Sequence, residues 1–132
     1  MSQENVETMR AVADAANRRD VEVLTALLAQ DAEIVPIRAA LEGTVFHGPD
    51  AVAQWYAALD ESWEEMEVEI ESVRDLGDRV LVWGRFRGRG RGSGAALDVE
   101  AGSVAHFNDG LITRLQNFTD RAEALEAAGL RE

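Results

Sequence analysis

Residues 83–94 read WGRFRGRGRGSG, with Arg85, Arg87, Arg89 and Arg91 at every second position and glycine between most of them. Arginines in such a pattern either bind phosphates from a flexible segment or line one face of a β-strand. The other candidates for chemistry are few: His47, His106 and the single tyrosine, Tyr56. His47 is by residue type the candidate water-activating base, although in its FHGPD turn such a residue also serves structurally. With no cysteine, thiol catalysis, disulfides and cysteine metal sites are excluded. Two histidines without a dense acidic motif predict no metal site. No glycine-rich loop is followed by lysine and serine or threonine, and there is no nucleophile elbow. The segment 84–94 imitates a dinucleotide loop, but no helix follows it, so no cofactor is expected.

Charge narrows the partners. Twenty-five acidic against thirteen basic residues leave a formal charge of −12, which repels nucleic-acid backbones and anionic membranes alike. A small, neutral or apolar ligand is the expected partner. The 132 residues, 46% of them hydrophobic, suit one domain with its own core. The start, MSQENVETMR, is polar where a signal peptide needs an apolar stretch, and no apolar run approaches the ~18 residues of a membrane span. A cytoplasmic location is expected.

The elements that must position these groups follow from periodicity. Over residues 3–18, Val6, Met9, Val12, Ala13 and Ala16 recur at helical spacing. Asp20 caps a second helix predicted over 21–29, with Leu24, Leu27 and Leu28 inward. AEIVPI reads as a short strand that Pro36 confines to an edge or a bulge. Gly48, Pro49 and Asp50 open a third helix, Pro49 in its first turn, with Val52, Trp55, Tyr56 and Leu59 as its stripe. The period then changes to two: Met66, Val68 and Ile70 alternate with Glu65, Glu67, Glu69 and Glu71. LGD at 76–78 turns into a strand over 79–92, with Val80, Val82 and Phe86 on one face and the four arginines on the other. A third long strand over 96–107, a turn at Asn108, Asp109 and Gly110, and a fourth over 111–118 follow. Asp120 and Glu123 form a capping box for a last helix that stops at Gly129.

If the two long strands pair antiparallel and bury their apolar faces, the glutamate row must lie beside the arginine row. A register sum near 156 sets Glu71 opposite Arg85 and Glu69 opposite Arg87. Each exposed pair contributes only about 0.2–1 kcal/mol, so the ladder fixes register more than it stabilises. Gly88, Gly90 and Gly92 then fall on the inner face, leaving room or letting the sheet bend.

Three helices, a twisted antiparallel sheet and a short terminal helix describe an α+β fold. The element order, with NRRDVEVLTALLAQDAEI, FHGPDAVAQWYAAL, DLGDRVLVWGRFRGRGRGSG, FNDGLI and TDRAEALEAAGL, resembles the SnoaL-like branch of the nuclear transport factor 2-like superfamily over nearly the whole chain. That resemblance implies a single SnoaL-like domain over 1–132, cone-shaped, with a pocket between a curved sheet and three helices, often in a dimer. Family members include ketosteroid isomerases, polyketide cyclases, epoxide hydrolases, dehydratases and non-catalytic binders, among which fold does not choose. Ketosteroid isomerases pair a carboxylate base with an oxyanion hole of a tyrosine and a protonated aspartate. The positions resembling these are Pro36, Val12 and Ser103, none of which can do the corresponding work. The carboxylate–arginine cluster of the epoxide hydrolases is also missing from the inward positions Val99, Ala101, Ser103, Ala105, Phe107, Thr113, Leu115 and Asn117.

What remains is an apolar pocket with a few neutral polar groups. Trp55, Tyr56, Phe86, Ser103, Leu115 and Asn117 are the expected ligand-binding residues, with Ser103, Asn117 and Tyr56 as the polar ones. Local hydrogen bonding for Ser103 and Asn117, and core packing for Trp55 and Tyr56, are the alternatives. Arg38 and Glu42 rim the mouth or are simply solvated. His106, of outward parity, belongs to the surface or a dimer contact. Two readings stand: a pocketed binding protein of unassigned ligand, or an isomerase-, cyclase- or lyase-type enzyme acting on a polyketide-, terpene- or steroid-like molecule. Leu81 and Trp83 share the arginine face, so either a second subunit in a homodimer or the terminal helix must cover them. A filter-binding titration with RNA at low salt is expected to show no tight, salt-sensitive binding. Such binding, abolished by Arg87→Ala and Arg89→Ala, would mean a nucleic-acid box instead of a strand face.

Overall fold

The computed structural model describes residues 2–37 and 44–130, so Arg38 and Glu42, the expected rim residues, lie outside the described part. In chain order the elements are α1 (Ser2–Arg18), α2 (Val21–Leu27), β1 (Leu28–Val35), β2 (Phe46–His47), α3 (Ala51–Ser62), β3 (Trp63–Asp75), β4 (Arg79–Gly90), β5 (Ala96–Asn108), β6 (Leu111–Phe118) and α4 (Arg121–Ala127). The six strands form one curved, unclosed sheet in the order β2-β1-β6-β5-β4-β3. All neighbours are antiparallel except β1 and β6. Among the described residues no helix is long and apolar enough to cross a membrane.

Local chemistry sets the helix ends. Arg19 takes a left-handed conformation (φ 55°) and its N–H donates to the Ala16 carbonyl, ending α1. Asp20 then accepts from the Val23 N–H at 3.1 Å and opens α2. That helix is shorter than its leucine spacing suggests: Leu28 and Ala29 already belong to β1. Pro36 follows the last residue of β1, so the strand loses no ladder bond and sits inside the sheet between β2 and β6, not at an edge. Pro49 likewise precedes the N-cap Asp50 of α3 and is not in the first turn. Asp120 accepts from the Glu123 N–H at 3.1 Å at the start of α4, half of the expected box.

The sheet has two covered faces. On the inner one Met9, Val12, Leu24, Ile34, Val52, Val80, Val82, Ile112 and Leu115 are buried together. Each such side chain contributes about 1.5–3 kcal/mol on burial. On the outer face Leu81, Trp83 and Val104 pack under Ala124, Leu125 and Ala128 of α4. The terminal helix, not a second subunit, therefore covers Leu81 and Trp83, and those residues supply no argument for a dimer. Arg79 secures α4 by donating from Nε to the Ala128 carbonyl at 2.6 Å.

The glutamate and arginine rows meet with the expected parity but two residues from the expected register. Glu69 lies opposite Arg85, Glu67 opposite Arg87 and Glu65 opposite Arg89. The register shifts between Ile70 and Ser72, leaving Glu71 as the extra residue of a bulge. The third strand supplies the partner the pairwise argument lacked: Arg85 donates from Nε to Asp98 of β5 at 2.7 Å. Arg87 reaches Glu69 at 3.0 Å and Asp98 at 3.6 Å. Arg91 has left the ladder altogether. It sits in the turn after β4 and donates from Nε to the Asp60 carbonyl at 2.7 Å, tying the turn to the end of α3. Gly92 is in that turn too, with φ 89°, and not on the inner face.

β3 is the long open edge of the sheet, and α1 guards it. The Asn17 side-chain carbonyl accepts from the Val68 N–H at 2.7 Å, while its amide donates to the Val68 carbonyl at 3.0 Å. One side chain thus occupies the groups a neighbouring strand would use.

Opposite Ile70, at the bulge, a β-carbon on Gly84 would collide with the backbone carbonyl of Glu69. A β-carbon on Gly88 would meet the Trp63 ring at 2.8 Å, a side chain with freedom to move. Gly84→Ala is therefore expected to cost about 2–3 kcal/mol in urea unfolding and Gly88→Ala clearly less. Equal losses would disprove a backbone-limited approach at Gly84.

Candidate functional site

Between the inner face of the sheet and α1 and α3 lies a cavity of about 420 Å³. Parity along the strands decides which side chains reach it. On β5 the odd positions Leu97, Val99, Ala101 and Ser103 face inward, opposite Gly88, Phe86, Gly84 and Val82 of β4. On β6, Leu115 and Asn117 lie opposite Ala105 and Ser103. A register shift between His106 and Phe107 then changes the parity, so Ile112 is the buried residue near the hairpin where alternation pointed to Thr113. Thr113 instead donates its hydroxyl to the His106 carbonyl at 3.3 Å.

Five of the six residues expected to bind ligand line this one cavity: Trp55, Phe86, Ser103, Leu115 and Asn117. Tyr56 does not. It is 3% exposed and packed in the core on the other side of α3's stripe. Its hydroxyl has no hydrogen-bond partner among the described residues, and the Arg19 guanidinium sits 5.8 Å from the ring centre. Burial pushes its pKa up to about 12, only partly opposed by Arg19.

His47 is also elsewhere. Phe46, paired with Ile34, turns into the cavity, so its neighbour His47 turns outward beside Glu33 at 3.7 Å, with 61% of its side chain exposed. His106 keeps its outward parity opposite Arg79 and Arg114. Burial, followed by those two cations, holds its pKa below the usual histidine value. Asp98, on the same outer face, is held below the usual carboxylate range chiefly by its hydrogen bond from Arg85.

Sequence reasoning missed Trp63 and Met9 as cavity residues. Trp63 shares odd numbering with the outward glutamates, but the register shifts between Trp63 and Glu65 and turns the indole inward. It meets Phe86 edge-on at 5.1 Å between ring centres. Only the pairing of β3 with β4 carries that information. Met9 was legible as part of the buried stripe of α1, without indication of what it faced.

The cavity's polar equipment is small. Ser103 donates from Oγ to Asn117 Oδ1 at 2.7 Å, and Asn117 donates from Nδ2 to the Val35 carbonyl at 3.1 Å. Thr44, Ser62 and Thr119 also border the space and are exposed at its rim. Glu69 and Arg85 are the ionisable residues among its described boundary. Their side chains are engaged on the outer face, with Arg87 and Asp98 respectively. Pro36, Val12 and Ser103, the positions that resemble the ketosteroid isomerase machinery, all border the cavity. No three histidine, aspartate or glutamate side chains among the described residues converge on one point. Chemically, the described arrangement accommodates an apolar body and offers a neutral hydrogen-bonding station at the Ser103–Asn117 pair.

Because the Tyr56 hydroxyl is buried without a described partner, Tyr56→Phe is expected to be neutral or to stabilise by about 1–2 kcal/mol. Its raised pKa makes the folded form favour the protonated phenol, so this contribution is present below pH 10.0 and is lost as pH rises toward about 12. Thermal melts between pH 9 and pH 12 check both points: the variant should lose less stability in that alkaline window, and ligand affinity should not change.

Similarity to known proteins agrees with the geometry. The nuclear transport factor 2-like protein of unknown function from Burkholderia pseudomallei K96243 superposes with a TM-score of 0.80 at 24% identity, covering 93% of this chain and 95% of that one. A protein of ketosteroid isomerase-like fold from Catenulispora acidiphila DSM 44928, in complex with trimethylamine, gives 0.77 at 23% identity, covering 95% and 94%. A protein of Jannaschia sp. CCS1 described as a candidate SnoaL-like polyketide cyclase gives 0.78 at 23%, covering 98% and 94%. No curated protein matches the chain. The sequence model of the SnoaL-like domain matches residues 9–115, which span the cavity walls from Met9 of α1 to Leu115 of β6, and the chain belongs to that family.

Proposed function

We propose that this SnoaL-like protein binds a small, largely apolar molecule in the cavity and does so without the acid–base machinery of the ketosteroid isomerases. One observation carries the reading: the cavity is walled by Trp55, Trp63, Phe86, Val99 and Leu115, and the two ionisable neighbours among the described residues, Glu69 and Arg85, are tied up on the far side of the sheet. Such a space rewards apolar burial and gives a reacting proton nowhere to go. His47, exposed on the opposite side of β2, is no substitute base in this arrangement.

A second reading, an isomerase-, cyclase- or lyase-type enzyme acting on a polyketide-, terpene- or steroid-like substrate, draws on the Jannaschia protein's description and on the Ser103–Asn117 pair. It needs that neutral pair to do work that relatives give to carboxylates. Binding is therefore the preferred function, in a cytoplasmic protein that takes no nucleic acid or membrane as partner. Homodimerisation is part of the proposal on the family resemblance alone.

The test combines native mass spectrometry of freshly purified protein with fluorescence titration of N-phenyl-1-naphthylamine, a neutral apolar probe. A co-purifying organic mass on a two-subunit species is expected. Ala101→Phe, which fills the inner face beside Gly84, should weaken probe binding at least tenfold, about 1.4 kcal/mol. Unchanged binding in a folded Ala101→Phe protein would remove the cavity from consideration.

A further inference from the structure

The hydrogen bonds at the polar end of the cavity fix the direction in which Ser103 points its proton. The Val35 main-chain carbonyl can only accept, and it faces the Asn117 side chain at 3.1 Å. The amide nitrogen must therefore be the atom turned toward Val35, since the reverse orientation sets two oxygens against each other. That places Asn117 Oδ1, again an acceptor, 2.7 Å from Ser103 Oγ. Ser103 has a single hydrogen, and this contact consumes it.

Two consequences follow for a bound molecule. Ser103 presents lone pairs to the cavity and no donor, while Asn117 retains one N–H beyond the one given to Val35. A hydroxyl, which donates and accepts at once, satisfies both groups. A ketone or ester carbonyl satisfies the amide at best and leaves its own oxygen facing the serine lone pairs. For Ser103 to donate to such a carbonyl, Asn117 Oδ1 would have to be left unpaired in a largely apolar site, at the cost of its desolvation. Among the described residues, Leu115, Phe86, Val99 and Ala101 of the sheet wall have no polar side-chain atom, while Thr44, Ser62 and Thr119 stand exposed at the rim.

Resting on the binding reading above, we infer that the Ser103–Asn117–Val35 chain makes the cavity selective for apolar alcohols, phenols or enols over the corresponding ketones. The same geometry removes Ser103 as an oxyanion donor, because the proton such a role requires is committed to Asn117.

Three bicyclic probes of nearly equal size separate the possibilities: 2-tetralol, 2-tetralone and tetralin, each titrated calorimetrically into the intact protein. The alcohol is expected to bind roughly three- to tenfold tighter than the ketone, the worth of one net hydrogen bond. Ser103→Ala removes the acceptor the alcohol donates to and should narrow the alcohol's lead over the ketone to about twofold or less, while leaving tetralin itself within about twofold. Asn117→Leu frees the serine proton and should shift preference toward the ketone. Tetralone binding as tightly as tetralol to the unmodified protein would overturn the donor selectivity and leave the apolar cavity reading intact. Failure of all three probes to bind would remove both. Should Asn117→Leu prove unfolded in a thermal melt, the Ser103→Ala comparison and the wild-type ratio still decide.

Discussion

The close approach of β3 to β4 at Gly84 is the constraint on which the rest of this structure depends. The Glu69 carbonyl occupies the place where any other residue at 84 would carry its β-carbon, and the bulge at Glu71 lies beside it. A bulge increases local twist and bends the strand that contains it. Here the bend falls midway along β3 and β4, so the sheet curves over α1 and α3 instead of lying flat on them. The cavity is the volume left under that curve. Gly88 serves the same end differently, its missing side chain giving way to the Trp63 ring, which becomes part of the wall.

The two faces of the sheet divide the chemistry. Nearly all of its ionic traffic runs on the outside: Arg85, Arg87 and Arg89 alternate with inward residues, and the carboxylates of β3 and β5 flank them. These pairs are solvated and individually weak. Their effect is to keep charge out of the interior, since each arginine turned outward turns a glycine or Phe86 inward. Glu100 is drawn into the same surface by accepting from Trp83 Nε1 at 2.8 Å, which fixes the indole under α4. An interior assembled this way is largely apolar, and the polar chain from Ser103 through Asn117 to Val35 has its direction set by a main-chain carbonyl.

Among the described residues, the side chains that could move a proton stand away from this cavity. General acid–base catalysis needs a titratable group within hydrogen-bond reach of the substrate, and here the histidines face away, at His47 and His106, while Tyr56 is sealed into the core. The phenol at residue 56 illustrates how residue type misleads. A single tyrosine beside a tryptophan invites a ligand-contact role, yet one residue along a helix is a rotation of about 100°, enough to put Trp55 in the cavity and Tyr56 behind it.

The alternation of apolar and charged residues along 63–75 and 79–90 determined by itself which side chains share a face, because successive strand side chains must point oppositely. From that came the arginine ladder, and the same alternation along 96–107 and 111–118 put Val99, Ala101 and Ser103 on the inner face with Leu115 and Asn117. The helix caps at Asp20 and Asp120 were equally legible, being contacts within three residues. Only tertiary structure decided what depends on pairing between distant strands. Each bulge between β3 and β4 moved the register by one residue, the one next to Trp63 turned that residue inward against its parity, and the shift between β5 and β6 exchanged Ile112 for Thr113. Likewise the cover over Leu81 and Trp83 is a seven-residue helix some forty positions away, visible in sequence as a capped segment but with no local signal for where it lands. Local alternation is a property of each strand alone; register, bulges and long-range cover are set by whichever packing of the whole chain buries the most apolar surface with its backbone groups paired.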